Sequence, residues 1–218
     1  MRKKLLRFEE NKTRKNILEP GKPLFHEIKG HWNEKYFLNN QPITLEIGCG
    51  NGEYTVGLAE KRPDNNFIGI DVKGDRLFVG STYAMEQGLE NVAFLRTRVH
   101  DLESFFQESE VSEVWITFPD PRPKDRDEKR RLTYPRFLKM YRNILKPGGY
   151  LMFKTDNTSL FEYTLVLFEE VFKVKNIEYT FDLYNSDLVN DHYGIKTKYE
   201  GIWSNKGEKI KYLKCQLK

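Results

Sequence analysis

The sequence predicts an α/β fold in which helices cover both faces of a mostly parallel sheet. From Ile43 onward, short apolar runs of strand length alternate regularly with segments of helical character. Because parallel strands need a long crossover, usually a helix, this alternation is typical of a parallel sheet. The last two strand-like segments have no helix between them, which predicts a terminal antiparallel pair. We find no internal repeat in the sequence.

The segment before this alternation, residues 1–23, is predicted to be a basic arm, and residues 24–218 a single domain. Pro20 and Pro23 flank the Gly–Lys pair that ends the arm. Its charge leaves two interpretations open, a frayed and solvated tail or an arm that contacts phosphate groups. A short helix is predicted over residues 24–41. The basic residues of the arm are Arg2, Lys3, Lys4, Arg7, Lys12, Arg14 and Lys15.

Three strand–helix pairs make up the first half of the alternation. The first strand is an apolar run that meets a cluster of glycines, and the helix after it begins at Glu53. The second helix is predicted to end at Gly88, because glycine is common just past a helix end. The three pairs are residues 43–47 with 53–61, 66–71 with 75–88, and 92–97 with 102–107.

The second half contains two further strand–helix pairs and the two final strands. Its first helix is amphipathic and ends where Lys146 is followed by Pro147 and two glycines. The predicted order is strand 113–118, helix 134–145, strand 149–154, helix 159–172, and strands 174–183 and 210–217.

A glycine-rich loop follows the first strand and carries the first chemical signal. Gly48, Gly50 and Gly52 alternate there, where glycine allows a sharp turn and a close ligand approach. Asp71 ends the second strand, and an acid at that point can accept both hydroxyls of a ribose. Glu46 stands just before the loop, where it would repel a pyrophosphate and attract an ammonium or sulfonium group. The G-x-G-x-G spacing and Glu46 therefore favour S-adenosylmethionine as the cofactor.

Acidic residues recur where successive predicted strands end. They are Glu46, Asp71, Asp120 and Asp156. In an open α/β sheet, ligands bind at the carboxyl ends of the strands. Any one of these acids could instead cap a helix or form a turn. The four together favour a ligand site.

A stiff loop and a basic segment follow the fourth strand. Three prolines fall within residues 117–124, and such a loop can hold Asp120 in fixed geometry. Residues 119–142 contain nine basic and four acidic residues, a net charge of +5 against +4 for the whole chain. The alternative is a solvated charged loop, but charge concentrated beside a site favours an anionic partner such as RNA. The predicted contacts here are Lys124, Arg126, Lys129, Arg130 and Arg131.

Four motifs carry a resemblance to a known family. They are F-P-D-P-x-P-K at 118–124, K-R-R at 129–131, K-T-D-N at 154–157 and T-x-Y-E at 197–200. Over roughly residues 43–217 the chain resembles the bacterial tRNA (guanine-N7-)-methyltransferases, and its glycine loop is similar to that of class I, Rossmann-like methyltransferases. The resemblance implies a seven-stranded sheet with an antiparallel last strand. It also implies methyl transfer from S-adenosylmethionine to N7 of the guanine at position 46, in the tRNA variable loop.

The resemblance also implies roles for particular residues. Glu46, Asp71 and Asp120 match cofactor-binding positions, and Asp120 matches the proposed catalytic residue. The positions that match substrate contacts are Lys124, Asp156, Thr197, Lys198, Tyr199 and Glu200. Two departures stand out, because Arg122 replaces a usual Trp and Arg98 falls where the family has an acid near the adenine. Asp101 stays open as the alternative to Arg98.

The predicted chemistry asks little of the protein. Guanine N7 has a free lone pair at neutral pH, so the protein must align the reactants and tolerate positive charge on the purine. A carboxylate can accept from N1–H and the exocyclic amine of guanine, whereas N1 of adenine is itself an acceptor. We expect Asp120, with Asp156 or Glu200, to hold that edge.

Other features of the sequence limit the choice of function. Two cysteines, no signal-like segment and no long apolar run predict a soluble, cytoplasmic protein with no membrane contact. The spacing of His and Cys predicts no metal site, and a monomer or a homodimer stays open. Three alternatives are methylation of an exocyclic amine, a non-catalytic RNA-binding protein and a nicotinamide oxidoreductase. An aspartate between prolines, with no aromatic residue after it, weighs against the first alternative. Titration with the cofactor would separate the second, because a degenerate site should not bind it. The glycine spacing and Glu46 weigh against the third.

Overall fold

The structure, a computed structural model, describes residues 3–217; Met1, Lys218 and the predicted arm residue Arg2 lie outside the described residues. The strands are β1 (Ile17–Leu18), β2 (Ile43–Ile47), β3 (Asn66–Asp71), β4 (Val92–Arg96), β5 (Val111–Thr117), β6 (Leu145–Thr155), β7 (Lys175–Thr180) and β8 (Lys211–Gln216). They form one sheet in the order β1-β4-β3-β2-β5-β6-β8-β7.

Residues 3–217 form six α-helices and several shorter helical turns; α1 precedes β1, and the other α-helices lie between strands. The α-helices are α1 (Lys3–Asn11), α2 (Glu53–Lys61), α3 (Gly74–Glu86), α4 (Pro135–Ile144), α5 (Thr158–Glu170) and α6 (Lys198–Ser204). Short 3-10 turns cover Pro23–His26, Val99–Ser104, Asp125–Arg130, Leu183–Asn185 and Asp187–His192, and a π-helical turn covers Trp32–Phe37.

The topology confirms the predicted α/β fold. Strands β1 to β6 pair only in parallel with one another, and β8 lies antiparallel between β6 and β7. The predicted ranges 43–47, 53–61 and 66–71 coincide with β2, α2 and β3. The predicted helix at 102–107 is instead a 3-10 turn that begins at Val99. The last two strands are antiparallel neighbours as predicted, but α6 lies between them in the chain, where no helix was predicted.

Within the described residues the sheet has eight strands, not the seven that the resemblance implies, because residues within the predicted arm join its edge. Ile17 and Leu18 are buried and pair in parallel with Phe94 and Leu95 of β4. The backbone N–H of Phe94 also donates to the carbonyl of Asn16 at 2.8 Å. These two apolar residues are too few to stand out within a basic segment, yet β4 offers them an unpaired edge and a buried face.

Basic residues of the predicted arm hold helix α1 and its connection against α3. Arg7 donates to the Asp75 carbonyl at 3.1 Å. Arg14 donates to the hydroxyl of Thr82 at 2.8 Å, and its guanidinium lies 3.8 Å from the ring centroid of Phe78. These cations therefore contact the protein itself, and a phosphate-contacting arm stays a prediction.

The helix predicted over residues 24–41 is wrong. Two short turns replace it, and Gly30, with a φ of 77°, lies between them. A left-handed residue cannot continue a right-handed helix. Trp32 fixes the second turn, since its indole donates to the Phe105 carbonyl at 2.9 Å and its ring stacks on Phe106.

Apolar cores lie on both faces of the sheet. Alternate residues of one strand serve different cores, as Ile68 and Phe67 of β3 do. The carboxyl ends of β2, β3, β5 and β6 meet at one edge, where the predicted acids follow. None of the helices between residues 3 and 217 is long and apolar enough to cross a membrane.

Candidate active site

A cavity of about 410 Å³ opens at the carboxyl edge of β2 and β5. Seven of the residues predicted for a site line it. They are Glu46, Gly48, Gly50, Asp120, Thr197, Lys198 and Tyr199. The structure thus brings the glycine loop, the proline loop and the start of α6 to one place, although they are far apart in the sequence.

The glycine loop turns sharply because all three glycines are left-handed. Their φ values are 75° at Gly48, 56° at Gly50 and 74° at Gly52. A Cβ on Gly52 would lie 2.6 Å from the ring of Phe94, so only glycine fits between the loop and β4. At Gly50 a Cβ would meet open space, which leaves the backbone of the loop free to approach a ligand.

Glu46 forms the floor of the cavity. Its side chain is buried, and its two carboxylate oxygens accept hydrogen bonds from Thr117, at 2.5 Å, and from Thr55. Burial raises the pKa of Glu46 to about 7, against the effect of those two hydrogen bonds and with a smaller contribution from Asp71. The site therefore holds a carboxylate whose negative charge an incoming cation would stabilise.

Asp71 bridges the glycine loop and the start of α3. Its Oδ2 accepts from the backbone N–H of Gly50 at 3.1 Å, and its Oδ1 accepts from that of Lys73 at 2.8 Å. Because each carboxylate oxygen has two lone pairs, these bonds leave acceptor sites for ribose hydroxyls.

The proline loop presents Asp120 at the rim of the cavity. Phe118 and Arg122 have φ values of 46° and 47°, a left-handed conformation that costs energy in residues other than glycine. The Asp120 carboxylate pairs with the Arg122 guanidinium at 2.9 Å, and its side chain is 77% exposed. The acid thus faces solvent and any molecule that enters the cavity.

Arg131 holds the proline loop in place through the backbone carbonyl of Arg122. Its Nε and Nη2 both donate to the Arg122 carbonyl at 3.2 Å, and its guanidinium lies 4.3 Å from the ring centroid of Tyr163. Tyr163 in turn donates to Glu128 at 2.8 Å. Arg131, predicted as a substrate contact, is therefore engaged with the protein.

The other predicted basic contacts lie on the surface. Arg130 pairs with Asp127 at 3.0 Å and stays exposed. Lys124, Arg126 and Lys129 are exposed on and next to the turn at Asp125–Arg130. These side chains are available to a partner outside the cavity.

Helix α6 closes one side of the cavity. Thr197 caps its first turn, since its hydroxyl accepts from the Glu200 N–H at 3.1 Å. The Glu53 carboxylate accepts from the backbone N–H of Lys198 at 2.8 Å, which ties α6 to the start of α2. The ring of Tyr199 lies 5.6 Å from that of Phe118, centroid to centroid.

Besides the residues already placed outside this cavity, three further predicted site residues do not line it. Glu200 is fully buried and pairs with Lys154. Asp156 is half-buried, its carbonyl accepts from Lys211 at 2.7 Å, and burial raises the pKa of its carboxyl group. Arg98 lies instead at a second cavity.

The second cavity, of about 810 Å³, lies beyond the ends of β3 and β4. Val72, Arg98 and Asp101 line it, so both residues left open for the adenine position are present. Pro20 and His26 line it from the N-terminal segment. The two cavities border the ends of neighbouring strands, on either side of Asp71.

Sequence reasoning missed several residues of the site. Two of them, Thr117 and Thr55, donate hydrogen bonds to Glu46. The third is Glu53, which accepts from the backbone N–H of Lys198. Only Glu53 carried a signal, because it is the first residue of the helix after the glycine loop. Within residues 3–217, no cluster of three or more His, Cys, Asp or Glu side chains could hold a metal ion.

The fold and the glycine loop define a class I, Rossmann-like methyltransferase architecture. The structure is similar to the 16S rRNA methyltransferase KamB, with a TM-score of 0.62 and 14% identity over 88% of this chain and 94% of that one. It is also similar to an antibiotic-related methyltransferase, with a TM-score of 0.60 and 17% identity over 83% of this chain and 89% of that one. A family model described as "Putative methyltransferase" matches residues 40–213.

Relatives at higher identity define the family. The tRNA (guanine-N(7)-)-methyltransferase of Cytophaga hutchinsonii is 49% identical over 99% of this chain and 98% of its own. The tRNA (guanine-N(7)-)-methyltransferase of Brevibacillus brevis is 42% identical over 86% of this chain and 85% of its own. The chain belongs to the tRNA (guanine-N(7)-)-methyltransferase family.

Proposed function

We propose that this protein transfers a methyl group from S-adenosylmethionine to N7 of a guanine in tRNA, at position 46 of the variable loop. One observation carries the proposal beyond the family membership. The 410 Å³ cavity has a buried carboxylate, Glu46, at its floor and an exposed carboxylate, Asp120, at its rim. Such a cavity suits a cationic donor inside and a base that enters from solvent.

The residues present fit S-adenosylmethionine. Gly48 and Gly50 leave room for a ligand beside the backbone, and Glu46 complements an ammonium or a sulfonium group. Asp71 has acceptor sites for the ribose hydroxyls, and the cavity beside Val72 can take the adenine. When bound, the cofactor supplies an electrophilic methyl group.

We propose that Asp120 recognises the guanine. Its carboxylate accepts from N1–H and from the exocyclic amine, and its negative charge stabilises the positive charge that develops on the purine. Tyr199 and Phe118 offer aromatic surface beside it, on which a base can stack. N7 needs no general base, so the protein acts by alignment, exclusion of water and charge.

The exposed basic side chains support RNA as the substrate. Lys124, Arg126 and Lys129 are exposed and follow the proline loop in the chain, so they can contact phosphates of an RNA strand whose nucleobase has entered the cavity. A base in a tRNA loop can be reached in this way, whereas N7 in an A-form helix lies in a groove too narrow for side chains. We infer that the protein acts in the cytoplasm, where tRNA is modified.

Incubation of the protein with labelled S-adenosylmethionine and unmodified tRNA tests the proposal. We expect one label per tRNA, released as 7-methylguanosine and mapped to position 46. The matched control is the same tRNA with adenine at that position, which should stay unlabelled. Label on an exocyclic amine, on another nucleotide or on no nucleotide would overturn the proposal.

A further inference from the structure

Lys154 and Glu200 form an ion pair that is completely shielded from solvent. Both side chains have a relative exposure of 0%. The Lys154 ammonium lies 2.8 Å from Oε1 and 3.0 Å from Oε2 of Glu200. Taking two charges out of water costs several kcal/mol for each ion, and an apolar pair of similar size often stabilises a fold equally well. The pair therefore calls for an explanation other than stability.

The surroundings of the pair are polar on one side and aromatic on the other. The hydroxyl of Tyr184 donates to Oε1 of Glu200. The Lys154 ammonium lies 5.3 Å from the ring centroid of Tyr54 and 5.7 Å from that of Phe118. Burial lowers the pKa of Lys154, while Glu200 opposes that shift. Glu200 thus has all its partners inside the protein.

The pair joins the two elements that flank the rim of the cavity. Lys154 lies near the end of β6, where its carbonyl accepts from the backbone N–H of Phe118 at 2.8 Å, at the base of the proline loop. Glu200 lies in the first turn of α6, directly after Lys198 and Tyr199, which line the cavity. Because α6 has only seven residues, the pair acts together with the hydrogen bond from Lys198 N–H to Glu53 to fix the turn that carries both.

We propose that Lys154 and Glu200 are positioning residues that hold α6 in register with the proline loop, so that Lys198 and Tyr199 face the incoming base. Neither side of the pair contacts the guanine. Buried polar groups that are fully paired can fix one arrangement of a structure, because any shift leaves a charge unpaired in a dry environment. This inference rests on the proposed function and assigns Glu200 a different role from the substrate contact that the motif implies.

Three variants test the proposal against wild type. Tyr184→Phe removes one hydrogen bond to Glu200, Lys154→Met removes the buried cation, and the double variant Lys154→Met/Glu200→Met replaces the pair with apolar side chains. The matched controls are Tyr179→Phe on the exposed edge strand β7 and Lys146→Met near the start of β6, at the end of that strand away from Lys154. The readouts are Tm, the Kd for S-adenosylhomocysteine, KM and kcat for tRNA, and amide hydrogen exchange within α6.

We expect Tyr184→Phe to raise the KM for tRNA at least threefold and to speed hydrogen exchange in α6, with the Kd for S-adenosylhomocysteine within about twofold of wild type. Lys154→Met should raise that KM at least tenfold and lower Tm. The double variant should regain most of the lost Tm but keep the raised KM. The controls should match wild type in all readouts.

Two results would overturn the proposal. One is a wild-type KM for Tyr184→Phe together with wild-type exchange in α6. The other is a double variant with a wild-type KM, which would reduce the pair to a feature of folding. Hydrogen exchange separates these results from a failure of the proposed function, since it reports on α6 whether or not tRNA is the substrate. If wild type itself leaves tRNA unmodified, the proposed function is at fault.

Discussion

The hydroxyl of Thr117 donates a 2.5 Å hydrogen bond to the carboxylate of Glu46. Thr117 is the last residue of β5 and Glu46 the penultimate residue of β2, so the bond spans neighbouring parallel strands where both approach the cavity. The contact holds a buried acid at the floor of the candidate active site. Burial raises the pKa of Glu46 to about 7, and this hydrogen bond opposes that increase.

Binding of S-adenosylmethionine is expected to depend on the ionisation of Glu46. The pKa is raised above the ordinary value of a carboxyl group, so the ligand-free protein holds the proton up to about pH 7. A cationic ligand favours the ionised form, and affinity should therefore rise with pH and level off above about 7. Calorimetry should show a loss of about fivefold from pH 7 to pH 6.

Two substitutions check the origin of that pH dependence. Glu46→Gln should bind weakly at every pH between 5.5 and 8.5, with a flat profile. Thr117→Val removes a hydrogen bond that lowers the pKa, so its midpoint should move to higher pH. A Glu46→Gln profile that follows wild type would assign the titration to another group.

Substitution of Asp120 is expected to affect the reaction and leave the fold intact. Its side chain is largely exposed, so Asp120→Ala should change the free energy of unfolding by no more than about 0.5 kcal/mol. Loss of the group that faces the developing charge should lower kcat/KM for tRNA by about 100-fold or more. Arg122→Ala, which removes the partner of Asp120 at 2.9 Å, is the control and should have a smaller effect. Near-normal turnover by Asp120→Ala would contradict the assigned role.

The exposed basic side chains that follow the proline loop are expected to set the salt dependence of tRNA binding. In a variant with Ala at Lys124, Arg126 and Lys129, the slope of the logarithm of the association constant against the logarithm of the salt concentration should fall in magnitude by about 2. This value holds if each of the three side chains contacts one phosphate. Titrations of tRNA between 50 and 300 mM salt measure this slope. The control replaces three exposed lysines at the opposite edge of the sheet, Lys146, Lys173 and Lys175, with Ala. Equal slopes for both triple variants would refute a contact with this loop.

Arg131 is expected to contribute to stability more than its neighbour Arg130 does. Arg131→Ala removes two hydrogen bonds to the Arg122 carbonyl and the stacking on Tyr163. The free energy of unfolding in urea should fall by about 1–2 kcal/mol. Arg130→Ala loses only an exposed ion pair and should stay within about 0.5 kcal/mol of wild type. The opposite ranking would restore Arg131 as a free phosphate contact.

Asp101 is expected to contact the adenine amine, with Arg98 beside it. A guanidinium has no acceptor, whereas a carboxylate can accept from an exocyclic amine. Asp101→Ala should weaken binding of S-adenosylmethionine about 5- to 20-fold, and Arg98→Ala should have a smaller effect. An analogue with hydrogen in place of that amine serves as the control, because it has no donor on that edge and the loss should vanish for it. The same loss with either ligand would argue against the contact.

The sequence by itself determined the strand–helix order from Ile43 to Phe172, apart from the helix predicted at 102–107, and the acids at the sheet edge. These features are local, since apolar periodicity, helix ends and glycine turns depend on residues close together in the chain. It also determined the family, through four motifs that are each only a few residues long. The roles proposed for individual site residues stay predictions, to be tested as described.

Only the tertiary structure decided which charges are free. Arg14, Arg131 and Glu200 each belong to a charged or polar stretch of the sequence that suggests an exposed side chain. Each nevertheless contacts a residue distant in the chain. The edge strand at Ile17–Leu18 likewise depends on the unpaired side of β4. The free energy of a charge depends on its burial and its partners, and a sequence alone does not contain those neighbours.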